Sequence, residues 1–128
     1  MKLSYKCENI IVYFSIMPGK VYHMKNRSEL ANFVKSNDYV IVKVGAEWCG
    51  PCKRIEPKLM ELFNQMPENV HLVKVDADEG DIAAALRVKV LPTFLNYIKG
   101  DLQDVYASGD AETLVKFFES TLKWMMQE

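Results

Sequence analysis

Val40-Ile41-Val42-Lys43-Val44-Gly45-Ala46-Glu47-Trp48-Cys49-Gly50-Pro51-Cys52 decides how the rest of the chain is read. Val40 to Val44 is short, apolar and β-branched, the pattern of a strand covered on both faces. Beyond the second cysteine, Ile55, Leu59, Leu62, Phe63 and Met66 recur at helical spacing. The two cysteines therefore stand where a buried strand turns into a helix. Cys49 falls at the helix N-terminus, where unpaired backbone N–H groups and the macrodipole favour a thiolate. Pro51 suits an early helical position, which needs no N–H. Gly50 leaves the first sulfur uncrowded. Residue types, spacing and setting agree on thiol–disulfide exchange.

The composition narrows the classes. A chain of 128 residues, 49% hydrophobic and 26% charged, is one domain able to bury a core without structural disulfides. A net charge of −1 with no basic face gives nucleic-acid binding no support. Three cysteines are too few for a secreted disulfide scaffold and leave Cys7 unpaired, which favours a reducing compartment and a cytoplasmic location. Cys-x-x-Cys is also half a zinc site, but the spare candidates Cys7, His23 and His71 lie at no metal spacing, so no metal or other cofactor is expected.

Outward from the central stretch, elements follow in regular order. Val21 to Met24 reads as a first strand. Asn26-Arg27-Ser28-Glu29 has capping-box spacing and opens a helix with Leu30, Phe33 and Val34 inward. Pro57 should kink the cysteine helix by removing a hydrogen bond. His71 to Asp76 is a strand parallel to 40–44 by the right-handed crossover expectation. Asp81 to Leu86 is a short Ala-rich helix. Thr93 to Ile98 and Leu102 to Tyr106 flank Lys99-Gly100-Asp101 as a hairpin. A last helix from Ala111 to about Met126 carries Leu114, Phe117, Phe118, Leu122 and Met125 on its apolar side. The expected order β-α-β-α-β-α-β-β-α gives an α/β fold, a central mixed sheet flanked by helices on both faces.

Residues 1–20 stand apart. Lys2 and Lys6 precede the apolar run 10–17, the outline of a secretory signal, but Glu8-Asn9 interrupts it and no small-x-small site follows. The run is too short to span a bilayer. An edge strand, a disordered tail, or a chain starting at Met17 are the other readings.

Over about residues 21–128 the pattern resembles the thioredoxin family. Glu47-Trp48-Cys49-Gly50-Pro51-Cys52-Lys53 matches its active-site segment, Val75-Asp76-Ala77-Asp78 the acidic end of its third strand, Leu91-Pro92-Thr93 its cis-proline loop, and Gly109 its glycine beside the substrate groove. The resemblance implies a thioredoxin fold and a monomeric reductase of protein disulfides, recharged by a thioredoxin reductase or equivalent donor. It implies Cys49 as nucleophile, Cys52 as resolving thiol, and a redox-active Cys49–Cys52 disulfide. Trp48, Gly50, Pro51, Leu91, Pro92 and Gly109 would bind substrate, with Leu91 pairing through its backbone.

Two departures stand out. Where the family has a buried aspartate paired with a lysine, this chain has Lys43 opposite Lys74, so at least one lysine would be expected to lose its charge. Lys43 could stabilise thiolates when charged, act as a base when neutral, or snorkel to the surface without effect. Gly45 replaces a frequent aromatic residue and thins the packing behind the dithiol. Two other functions stay open: an isomerase or oxidase, which usually carries His in place of Pro51 and needs a secretory signal, and a non-catalytic binding subunit.

Overall fold

The computed structural model describes residues 19–127, so the readings of the first 18 residues and of Cys7 lie outside the described residues. Among the described residues, five strands and four helices follow one another as the periodicities predict. β1 is Val21–His23, α1 Arg27–Ser36, β2 Tyr39–Gly45, α2 Gly50–Phe63 and β3 Val70–Asp76. α3 is Ile82–Ala85, β4 Thr93–Ile98, β5 Asp101–Ala107 and α4 Ala111–Met126. The sheet order is β1-β3-β2-β4-β5, with β2 parallel to β3 and antiparallel to β4. It is a mixed sheet in a thioredoxin fold.

Strand alternation divides the core into two layers. Tyr39 and Ile41 of β2, with Val70 and Leu72 of β3, face Ile55, Leu59 and Phe63 of α2 and Leu114, Phe117 and Phe118 of α4. Val40, Val42 and Val44 face the other way, toward Leu30 and Val34 of α1 and Ile82 of α3. By the same alternation Lys43 and Gly45 belong to the α2 side of β2, and the register pairs Lys43 directly with Lys74. Both lysines therefore lie beneath α2 rather than reaching freely into solvent.

Local chemistry explains the boundaries. Asn26 Oδ1 accepts the N–H groups of Ser28 at 2.9 Å and Glu29 at 3.4 Å, closing the start of α1. Asp110 does the same for α4, accepting from Thr113 N at 2.9 Å. α2 continues past Pro57 as one helix to Phe63. The hairpin between β4 and β5 is tighter than expected. Asp101 already belongs to β5, leaving Lys99 (φ 53°) and Gly100 (φ 88°) as a two-residue turn whose positive φ values suit the strand twist.

Phe63 is completely buried at the end of α2. Phe63→Ala should cost about 3–5 kcal/mol of unfolding free energy. Urea denaturation monitored by circular dichroism checks this, and a cost below about 1 kcal/mol would mean that this layer is not close-packed.

Candidate active site

The end of β2 and the start of α2 build the site between them. Gly45 O accepts the N–H of Ala77 at 2.8 Å, tying the end of β2 to the chain leaving β3. Cys49 N donates to Ala46 O at 3.2 Å, turning the chain, and Lys53 N donates to Cys49 O at 3.2 Å as the first turn of α2 forms. Cys49 is the N-cap of α2, and its Sγ accepts the backbone N–H of Cys52 at 3.1 Å. Its sulfur thus occupies the position where a helix N-terminus best stabilises negative charge. Cys49 and Cys52 form a disulfide, with Cα atoms 5.3 Å apart.

The two sulfurs open onto different spaces. Cys49 lines a cleft with Trp48, Pro51, Ala77, Lys89 and Leu91. Trp48 is 69% exposed, and its Nε1 donates to Asp78 Oδ2 at 2.7 Å, which fixes the indole at the rim. The Leu91–Pro92 peptide bond is cis and Pro92 is buried, followed by Thr93, whose hydroxyl donates to Val90 O. Gly109 packs against Pro51, the residue between Gly50 and Cys52. A Cβ there would stand 3.1 Å from the Pro51 Cβ, so its smallness lets the loop before α4 pack against the Gly-Pro turn.

Cys52 faces a second cavity of about 460 Å³, lined also by Gly45, Lys43, Glu56 and Lys74. Here the lysine pair differs from the sequence expectation. Lys43 and Lys74 do not confront each other alone, because Glu56 reaches down from α2 between them. Lys43 Nζ donates to Glu56 Oε1 at 2.9 Å, and Lys74 Nζ donates to Glu56 Oε2. The ground for expecting a neutral lysine, two uncompensated charges side by side, is therefore absent. Nor does Lys43 snorkel, since its side chain is only 12% exposed. Glu56 was not singled out in the sequence, although it stands four residues after Cys52 and therefore on the same helix face.

Burial pushes the Glu56 carboxyl upward, but the hydrogen bonds from Lys74 and Lys43 and their charges outweigh it, holding the group below its ordinary 4.5. Gly45 gains a specific purpose beside this cluster. A Cβ there would lie 3.2 Å from both Cys52 Sγ and Lys43 Cε, so a larger residue would wedge them apart. Among the described residues no group of three His, Cys, Asp or Glu side chains could hold a metal ion, and no helix is long and apolar enough to cross a membrane.

A dithiol closed at a strand-to-helix junction, beside a cis-proline loop on a five-stranded mixed sheet, defines the thioredoxin-fold class. Comparison with known proteins agrees. The thioredoxin family model matches residues 21–120. Thioredoxin-2 of Pyricularia oryzae is 40% identical over 85 residues, covering 66% of this chain and 49% of that protein. Thioredoxin of Geodia cydonium is 35% identical over 95 residues, covering 72% and 89%. The crystal structure of oxidised mitochondrial thioredoxin 3 from Saccharomyces cerevisiae matches with a TM-score of 0.73 at 34% identity, covering 78% of this chain and 94% of that one. The chain spans about half the length of the Pyricularia relative. It belongs to the thioredoxin family.

The lowered Glu56 carboxyl makes a pH prediction. The folded state binds its proton less tightly than the unfolded state, so its contribution to stability is complete above the unfolded value of 4.5 and is lost as pH falls through the folded value. Below that range protonated Glu56 resembles glutamine. The melting-temperature advantage of the wild type over Glu56→Gln should be largest near neutrality and shrink on acidification, as calorimetry across the acid range would register. An advantage that does not change with pH would contradict the ion-paired carboxylate.

Proposed function

We propose that the protein is a thiol–disulfide oxidoreductase that reduces protein disulfides by cycling Cys49 and Cys52 between dithiol and disulfide. The observation that carries this reading is the Cys49 sulfur at the N-terminus of α2, hydrogen-bonded by the Cys52 N–H at 3.1 Å and disulfide-bonded to Cys52. In the reduced state the same N–H and helix end favour a Cys49 thiolate.

That thiolate attacks one sulfur of a substrate disulfide. A Cys49–substrate bond forms, the substrate bond breaks, and the displaced sulfur leaves with the electron pair. Cys52 then attacks Cys49 Sγ, closing the intramolecular disulfide and releasing the second substrate sulfur as a thiolate, which takes a proton from solvent. The substrate gains two electrons and the protein loses them. A thioredoxin reductase or equivalent electron donor would restore the pair, in a reducing compartment such as the cytoplasm.

The cleft beside Cys49 suits an extended peptide. Trp48 gives it an apolar wall, Gly50 and Pro51 shape its floor beside the sulfur, and Leu91, ahead of cis-Pro92, offers backbone groups for strand-like pairing. Gly109 would act indirectly, by seating the loop against Pro51. On this reading residues 1–20 are an extension preceding the thioredoxin domain.

The test uses insulin as a disulfide-bonded probe with dithiothreitol as electron source. Wild type should accelerate insulin reduction, and Cys49→Ser should fall to the dithiothreitol background. Reduced Cys52→Ser, freed of dithiothreitol before insulin is added, should accumulate a covalent Cys49–substrate disulfide, visible as a mass adduct that later addition of dithiothreitol removes. Acceleration that survives Cys49→Ser would overturn the assignment.

A further inference from the structure

We propose that Lys43, Glu56 and Lys74 form a charge cluster of net positive sign that keeps Cys52 a thiolate, so that closing the dithiol needs no proton acceptor, with Glu56 as the positioning residue. This rests on the thiol–disulfide reading above and assigns the residues behind its second step.

Geometry supplies the first support. Gly45 has no side chain, and the point its Cβ would occupy lies 3.2 Å from both Cys52 Sγ and Lys43 Cε. The lysine stem and the sulfur therefore flank one small gap at the edge of the cavity that both line. The strand register places Lys74 beside Lys43, and Glu56 bridges the two ammonium groups. One carboxylate between two ammoniums leaves an excess of one positive charge, in partly buried surroundings where screening is weaker than in bulk water.

The position of Glu56 decides which chemistry the cluster performs. Both of its oxygens accept lysine hydrogen bonds, one from each side. A carboxylate held that way is a poor proton acceptor, because protonation would forfeit both ion pairs. What it does well is hold two lysine head groups in fixed places beneath α2. The cation then acts on Cys52 through space, and the thiol loses its proton to solvent before the attack. In that attack the Cys52–Cys49 bond forms, the Cys49–substrate bond breaks, and the substrate sulfur leaves with the electron pair.

Other charged groups line the same cavity. From β1 comes His23, and from α2 the exposed Lys53. Asp76, at the end of β3, has Oδ1 engaged by the Asp78 N–H, while Glu79 pairs with Lys25 and Glu47 is exposed. His23 lines the same cavity and needs its own control.

The experiment follows the reaction of the reduced full-length chain, carrying Cys7→Ser, with an excess of dithiobis(nitrobenzoate) in a stopped-flow instrument. A first nitrothiobenzoate is released as Cys49 reacts and a second as Cys52 closes the disulfide, so the second phase isolates the step at issue. Its rate is measured against pH in wild type, Lys43→Met, Lys74→Met, Glu56→Gln and His23→Gln. Lys43→Met should raise the midpoint by about one unit, a roughly tenfold slower second phase on the acid side, with rates converging at alkaline pH. Lys74→Met should shift it in the same direction and serves if Lys43→Met fails to fold. Glu56→Gln should leave the midpoint in place or lower it, and the lysine effect should persist in His23→Gln. An unmoved midpoint in folded lysine variants, or a rise in Glu56→Gln, which would make the carboxylate a proton acceptor, overturns the proposal. Absence of both phases in the chain with its dithiol reduced would instead sink the oxidoreductase reading itself.

Discussion

The Cys49 sulfur accepts the N–H of Cys52 at the first turn of α2 while it is bonded to the Cys52 sulfur. One atom thereby serves as helix cap and as half of the disulfide, and the surrounding chain is arranged to hold it there. β2 must end where it does, because Gly45 O and Ala46 O hold the turn that leads into α2. The helix must then lie across β2 and β3, because Ile55, Leu59 and Phe63 bury against Ile41, Val70 and Leu72. A shift of the helix by one residue would uncouple the cap from the core.

Seating α2 in that way also brings Glu56 over the lysines. A strand interior is an unfavourable place for an ammonium group, and two side by side are worse. Glu56 answers this with a carboxylate from the opposite layer, while the cavity next to Cys52 leaves the cluster partly exposed. The arrangement places two lysines and one carboxylate near the Cys52 sulfur rather than a lone buried acid.

Most of the fold was legible because its signals are local. β-branched runs, the Asn26 cap and the spacing of Leu114, Phe117 and Phe118 each name their element without reference to the rest. The Cys-Gly-Pro-Cys segment and Leu91-Pro92 were legible for the same reason. Contacts between distant segments were not. Trp48 and Asp78 are 30 residues apart, and their hydrogen bond depends on how β3 exits the sheet. Glu56 required knowing which face of α2 rests on Lys43 and Lys74. Its spacing from Cys52 and its place next to buried Ile55 were the only hints. Gly109 was read as a glycine beside a substrate groove, and its packing partner Pro51 emerges only when the loop before α4 is folded back.

The most direct test of the account as a whole is the reduction potential of the Cys49–Cys52 couple in the full-length chain, set by equilibration in glutathione buffers and read by thiol trapping. The expected result is a reducing couple, near or modestly above the reference value for thioredoxins of about −270 mV. A value at or above about −180 mV, in the range of disulfide isomerases, would contradict it.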